Sequence, residues 1–208
     1  MGSNLDVCRV LALDMSTKTG WALMVSSDTG CLLESYGQIP QIHRPDGQYP
    51  ESFIDWAYMV YAEIVKIIDQ TAPDVLVIEE TAAGSKAIYT QKILEWIHFL
   101  VAKLIKEYHI KAVYLMTEEW RRATGCLMSK EESKRNKAVK KYKEDNETMI
   151  ARDINGKRIG RITRKHVNIR RANEVFGEFL KTPLRKKDED LADSLLLGYC
   201  YHLRRLKV

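Results

Sequence analysis

Apolar residues first gather in a short run, Val10-Leu11-Ala12-Leu13, that stops at Asp14. A polar turn, Ser16-Thr17-Lys18-Thr19-Gly20, follows, and apolar residues resume at Trp21-Ala22-Leu23-Met24-Val25. Short apolar runs bounded by turn residues read as strands, so the pattern predicts strands over 7–13 and 21–26 joined as a hairpin. Asp28-Thr29-Gly30 marks another turn, and residues 31–39 alternate loosely as a third strand. Three consecutive strands on short connections predict an antiparallel meander. After a polar loop the apolar spacing becomes helical over 51–71, through Phe53, Ile54, Trp56, Ala57, Val60, Tyr61, Ile64, Val65, Ile67 and Ile68, the pattern of an amphipathic helix. Pro73-Asp74 ends that helix, and Val75-Leu76-Val77-Ile78 is a strand without a polar residue, the pattern of one covered on both faces. A small-residue loop at 81–85 leads to a second long helix over 87–108 and a fifth strand over 111–116.

Meander strands followed by strand–helix–strand alternation predict an α/β fold, a mixed sheet with helices on its faces. Past Thr117 the character changes. A short helix opens with a capping-type Thr117-Glu118-Glu119 and breaks at Gly125, and another runs from Ser129 to about Lys143. Asn155-Gly156 is a hairpin signal, and its flanks from Met149 to Ile162 fit a small β-ribbon. Helices are predicted over 165–180 and 188–206.

The 208 residues fit a single domain, 1–208, with an insertion at about 120–171. Composition is that of a soluble protein, and no apolar run reaches the ~20 residues a membrane-spanning helix needs. Cys8, Cys31, Cys126 and Cys200 form no CxxC pair, which argues against a zinc site or disulfide framework and for a cytoplasmic setting. The histidines His98, His109, His166 and His202 are not at metal spacing either. Charge alters the picture more. The net charge is only +5, yet residues 120–171 hold 17 of the 33 Lys and Arg against 6 Asp and Glu. A basic segment on a balanced chain suggests a polyanionic partner; the plainer reading is a solvated, salt-bridged helix face. The candidate phosphate contacts are Arg121, Arg122, Lys130, Lys134, Arg135, Lys137, Lys140, Lys141, Arg164 and Lys165, with Lys186 and Lys187 as further basic residues. Trp56 and Trp96 sit at core-like positions, whereas Trp120 opens the basic segment and is the candidate for stacking on a base, with Tyr142 second.

The candidate chemistry lies in acids at the ends of apolar elements. Asp14 ends the first strand, and Glu79-Glu80 end the fourth. Neighbouring strand residues point to opposite faces, so only one of the pair can face Asp14; Glu79 is favoured. Asp190 and Asp193 are three apart in the last helix and share a face. Acids in a first helical turn also suit the helix dipole, which is the bland alternative. Carboxylate oxygens are the ligands of hard divalent cations, and phosphodiester hydrolysis can employ two such ions held by three or four convergent carboxylates. Asp14, Glu79, Asp190 and Asp193 supply that number.

Together, Leu13-Asp14-Met15-Ser16-Thr17-Lys18-Thr19-Gly20, Val77-Ile78-Glu79-Glu80 and Asp190-Leu191-Ala192-Asp193-Ser194 resemble, in order and spacing, the RuvC-type Holliday junction resolvases of the ribonuclease H-like superfamily. The resemblance implies a five-stranded sheet of order 3-2-1-4-5 and a metal-dependent endonuclease, acting on branched DNA as a homodimer that nicks a four-way junction symmetrically. It implies that Asp14, Glu79, Asp190 and Asp193 are the catalytic and metal-binding residues, with two Mg²⁺ (or Mn²⁺) ions, and that the helix over 87–108 carries dimer contacts. Met15-Ser16 after the first acid, and the long basic segment, resemble the phage branch of the family, which would place the protein in a host bacterial cytoplasm. Other readings remain open: cleavage of flaps or RNA–DNA hybrid, a non-catalytic junction-binding module, and an actin-like ATPase lobe, which shares the strand–Asp–turn–strand opening but usually needs two such lobes.

Overall fold

The computed structural model describes residues 7–80, 88–145 and 160–207, with the backbone alone for 141–145. Strands β1 (Cys8–Asp14), β2 (Gly20–Ser27) and β3 (Gly30–Gln38) form the expected antiparallel meander. Helix α1 (Glu51–Thr71) then returns the chain to β4 (Val75–Glu79), which lies parallel to β1 on its free edge. Helix α2 (Ile88–Tyr108) makes the second crossover, to β5 (Lys111–Leu115), parallel to β4. The result is a five-stranded mixed sheet of order β3-β2-β1-β4-β5. Parallel neighbours require a crossover, and α1 and α2 supply it.

The period-two alternation of the strands sorts the core into two layers. Leu11, Leu13, Leu76 and Ile78 face α1 and α2, where they meet Phe53, Val60, Ile64, Ile97 and Val101. Val10, Ala12, Ala22, Met24, Val75 and Val77 face the other side, where they meet the C-terminal helices. Asp14 continues the Val10, Ala12 series and Glu79 the Val75, Val77 series, so both carboxylates belong to this second face.

That face is covered chiefly by α6 (Glu189–Arg205), with α5 (Arg164–Phe176) and α3 (Thr117–Ala123) packed beside it. Helix α6 lies close to the sheet because Gly198 faces it: a Cβ there would stand 2.8 Å from Met24 Sδ and 3.3 Å from Ala12 Cβ. Helix α4 (Lys130–Asp145) is tied to this layer through Glu132, which pairs with Arg170 of α5. Its start matches expectation: Glu132 N–H donates to Ser129 Oγ (3.1 Å) and Ser129 N–H to a Glu132 carboxylate oxygen (2.8 Å). Among the described residues no helix is long and apolar enough to cross a membrane.

Three expectations need revision. Helix α5 stops at Phe176, not 180; Gly177 is a weak helix former, and the Phe176 carbonyl accepts from both Phe179 N–H (2.9 Å) and Leu180 N–H (3.1 Å) in a closing turn. Trp120 is fully buried, so it cannot stack on a base; α3 is amphipathic and turns this ring into the core. Thr117 is not the cap of α3. Met116 takes that place, its N–H donating to Glu119 Oε2 (3.2 Å), which frees the Thr117 hydroxyl for another partner. Most of the Asn-Gly ribbon lies outside the described residues, and Gly160 to Ile162 are not in a strand.

Candidate active site

Asp14 and Glu79 are the last residues of β1 and β4, two adjacent parallel strands ending on the same side of the sheet. The first turn of α6 reaches that edge because of Gly20, the β2 partner of Asp14. A Cβ on Gly20 would lie 2.2 Å from the Asp190 carbonyl oxygen, so only glycine permits this approach. The turn between β1 and β2 closes on itself: Thr19 Oγ1 donates to the Ser16 carbonyl (2.7 Å) and accepts from Ser16 N–H (3.1 Å), while Lys18 N–H donates to Ser16 Oγ (3.0 Å). The Ser16 and Thr19 hydroxyls are thus engaged within the turn, and Thr17 Oγ1 accepts from Gln41 Nε2 (2.8 Å). Lys18 Nζ donates to the Lys187 carbonyl (3.0 Å), tying the turn to the segment that leads into α6.

The four acids interact as one electrostatic group. Burial pushes the Asp14 carboxyl well above its usual range, and repulsion from Asp193, Glu79 and Asp190 adds to it, against one opposing cation, Arg121. Asp193 is pushed up to about 7, by burial first; the Asn168 hydrogen bond and Arg121 oppose this, while Glu79 and Asp190 reinforce it. Asp190 is also raised, by burial and by Glu189, against Lys18 and Lys165. Asp190 lies in the first turn of α6, where an acid also suits the helix dipole, and for both Asp190 and Asp193 burial outweighs that effect.

Three residues not singled out as partners of the acids hold them in place. Asn168 on α5 is fully buried, and its Nδ2 donates to Asp193 Oδ1 at 2.8 Å. Arg121 on α3 brings Nη2 to 3.8 Å from Asp193 Oδ2, with both side chains under one-fifth exposed, and its guanidinium lies 4.9 Å from the Trp120 ring centroid. The Thr117 hydroxyl donates to Glu79 Oε1. Asn168 and Thr117 left no mark in the sequence pattern, and Arg121 was visible only as one basic residue among many.

The basic residues divide. Arg121 is placed against the acids, and Lys165 pairs with Glu189 beside them. Arg122, Lys130, Lys134, Arg135, Lys137, Lys140 and Arg164 are exposed. Arg135 donates to the Gly160 carbonyl (3.4 Å). The side chains of Lys141 and Tyr142 lie outside the described residues. Lys186 and Lys187 are exposed ahead of α6. Of the histidines, His202 is packed, its Nδ1 within 3.0 Å of Ser26 Oγ.

The donor set suits a hard divalent cation: four carboxylates, whose mutual repulsion adds to burial in raising Asp14 and Asp193, with a single guanidinium beside them. Among the described residues, no three acid, histidine or cysteine side chains stand close enough to form a ready-made cage. The fit is therefore one of ligand type and charge.

This five-stranded mixed sheet of order β3-β2-β1-β4-β5, flanked by helices, is the ribonuclease H-like fold. More narrowly, the chain has the fold of the RuvC-type resolvases. It matches the structure titled T. thermophilus RuvC in complex with Holliday junction substrate with a TM-score of 0.61 and 11% identity, over 95% of this chain and 94% of that one. A second Thermus thermophilus RuvC structure matches with a TM-score of 0.60 and 13% identity, covering 96% of each chain. The yeast mitochondrial Holliday junction resolvase Ydc2 matches with a TM-score of 0.51 and 14% identity, over 96% of this chain and 80% of that one. No protein-family model and no curated protein matches the sequence.

Proposed function

We propose that the protein is a structure-selective DNA endonuclease that resolves four-way junctions, with Asp14, Glu79, Asp190 and Asp193 as its catalytic acids. The observation that carries this reading is the convergence of acids from β1, β4 and α6 beside a basic layer, on a fold shared with junction resolvases. Asp14, Glu79, Asp190 and Asp193 would hold Mg²⁺ or Mn²⁺, two ions in the full site; such ions polarise a phosphoryl oxygen and acidify water. The chain's own residues prepare the site. Asn168 fixes the rotamer of Asp193, Thr117 orients Glu79, and Arg121 limits the repulsion among the acids while standing ready for a phosphate. The exposed cations of α4, with Arg122 and Arg164, bind the backbone of the arms by charge alone, which positions DNA without reading sequence.

Two active sites are needed for paired nicks, and we propose a homodimer. An apolar recess of about 460 Å³ between α1 and α2, lined by Ile54, Ala57, Tyr58, Trp96, Phe99 and Leu100 with Glu95, supports it. Phe99 is 71% exposed and Tyr58 52%, an apolar patch of the kind that a second subunit covers. Placement in the phage branch, and hence in a bacterial host cytoplasm, is proposed from Met15-Ser16 and the long basic segment.

The test is cleavage in Mg²⁺ of a synthetic four-way junction beside matched duplex, flap and RNA–DNA hybrid. Paired symmetric nicks in the junction alone are the expected result. Cleavage of flap or hybrid instead would keep the acids and discard the substrate. Tight junction binding with no cleavage would return the protein to the binding-module reading.

A further inference from the structure

Arg121 separates the acid cluster from a second recess. This recess has a volume of about 310 Å³, and its lining includes Arg121, Arg122 and Arg164 together with the apolar Leu127 and Met128. That size is at the small end of the range of ligand clefts, about 300–1,000 Å³. Glu118 is the one acid in the lining. Among the described residues no carboxylate engages Arg122 or Arg164. Leu127 is 60% exposed, between the guanidinium groups of the lining.

The two halves of the lining call for one kind of ligand. Three guanidinium groups in a small recess call for a polyanion, since they can pair with phosphate oxygens and stack on planar rings. Exposed Leu127 and the open side of half-buried Met128 offer apolar contact to a flat ring, and Met adapts its shape to it. A phosphate alone leaves the apolar lining unused, and an apolar ligand leaves the arginines unused. A nucleotide uses both. Arg121 also fixes the location, because its Nη2 is 3.8 Å from Asp193 Oδ2.

We propose that this recess seats one unstacked nucleotide of the cut strand, next to the phosphate under attack, with its base against Leu127 and Met128 and its phosphate on Arg122 and Arg164. The proposal rests on the junction-nuclease reading and deepens it: the strand is held by one base as well as by charge. A seated base is also a means of preferring certain nucleotides beside the cut, which contacts to the backbone cannot do.

The experiment uses the full chain and a series of four-way junctions, each with one abasic nucleotide at successive positions around the cut. Cleavage rates are measured for wild type and for Leu127→Ala, whose exposed position leaves folding intact, as thermal unfolding checks. In the wild type, one abasic position beside the cut is expected to slow cleavage about tenfold, the scale of a lost base contact. Leu127→Ala is expected to slow the intact junction comparably and to be insensitive to the abasic nucleotide at that same position, because the two changes remove one contact. Arg122→Gln is expected to weaken binding of all junctions equally. Equal cleavage of every abasic junction by wild type, or an undiminished abasic effect in Leu127→Ala, would overturn the base seat while leaving the nuclease in place. A wild type that neither binds nor cuts any junction would overturn both.

Discussion

The crowding of acids makes a prediction about stability that runs against intuition: Asp193→Asn should stabilise the metal-free protein at about pH 8. Asp193 is pushed up from 3.8 to about 7, and each unit corresponds to roughly 1.4 kcal/mol, so holding this charge in the folded site costs on the order of 4 kcal/mol. An asparagine keeps the shape, and its side-chain oxygen still accepts from Asn168. It gives up the Arg121 contact at 3.8 Å, worth up to about 1 kcal/mol. With partial relaxation of the wild-type site, a net gain of about 2 kcal/mol remains, or a rise in Tm of about 4–8 °C for a chain of this size. The pH dependence follows from the sign of the shift. A carboxyl whose folded pKa is raised contributes stability that is present below its unfolded value and lost as pH rises through about 7. The advantage of the variant should therefore be largest near pH 8 and shrink towards about pH 5, where the wild-type acid is protonated. Thermal unfolding in EDTA across that range measures it. Excess Mg²⁺ should raise the Tm of the wild type more than that of the variant, by linkage to binding. A variant less stable than wild type at about pH 8, or an advantage independent of pH, would refute the reasoning.

Three further outcomes are expected. Asn168→Ala should reduce cleavage and the affinity for Mn²⁺ in calorimetry by about 10–100-fold while junction binding persists, because it frees the rotamer of Asp193; Asn168→Gln should not rescue, since the site is fully buried. Gly20→Ala places a Cβ 2.2 Å from the Asp190 carbonyl, so it should cost about 1–3 kcal/mol in denaturant unfolding and lower cleavage beyond what the lost stability explains. Joint replacement of Lys134 and Lys137 by Gln should weaken junction binding at all sequences and reduce the slope of log affinity against log salt by about 2; an unchanged slope would make this face of α4 merely solvated.

What the sequence disclosed, and what it hid, divides along the range of the interactions involved. The strand pattern and its polar turns are local, so all five strands and the two crossover helices could be read from spacing. Alternation along β4 allowed only one of Glu79 and Glu80 to face Asp14, with Glu79 favoured, and the spacing in α6 put Asp190 and Asp193 on one face. The order of the sheet came from the resemblance, since nothing in the spacing says on which edge of β1 the fourth strand must lie. Asn168 could not be found, because its value lies in a contact to Asp193 across two helices, 25 residues apart in sequence. Trp120 was assigned to a DNA surface from composition, but an amphipathic α3 turns it inward; the same helix sets Arg121 against the acids, a placement that composition could not give. Thr117 looked like a helix cap because the capping motif is written in residue types, and the Glu79 partner that competes for its hydroxyl is distant in sequence.

The most direct test of the central claim is to compare wild type with Asp14→Asn on one labelled four-way junction in Mg²⁺, following cleavage and binding together. The account predicts that cleavage falls below detection while junction affinity stays within about threefold of wild type, because the substitution removes an acid of the site and none of the phosphate contacts. Cleavage by Asp14→Asn at the wild-type rate would place the chemistry elsewhere in the molecule and contradict the assignment.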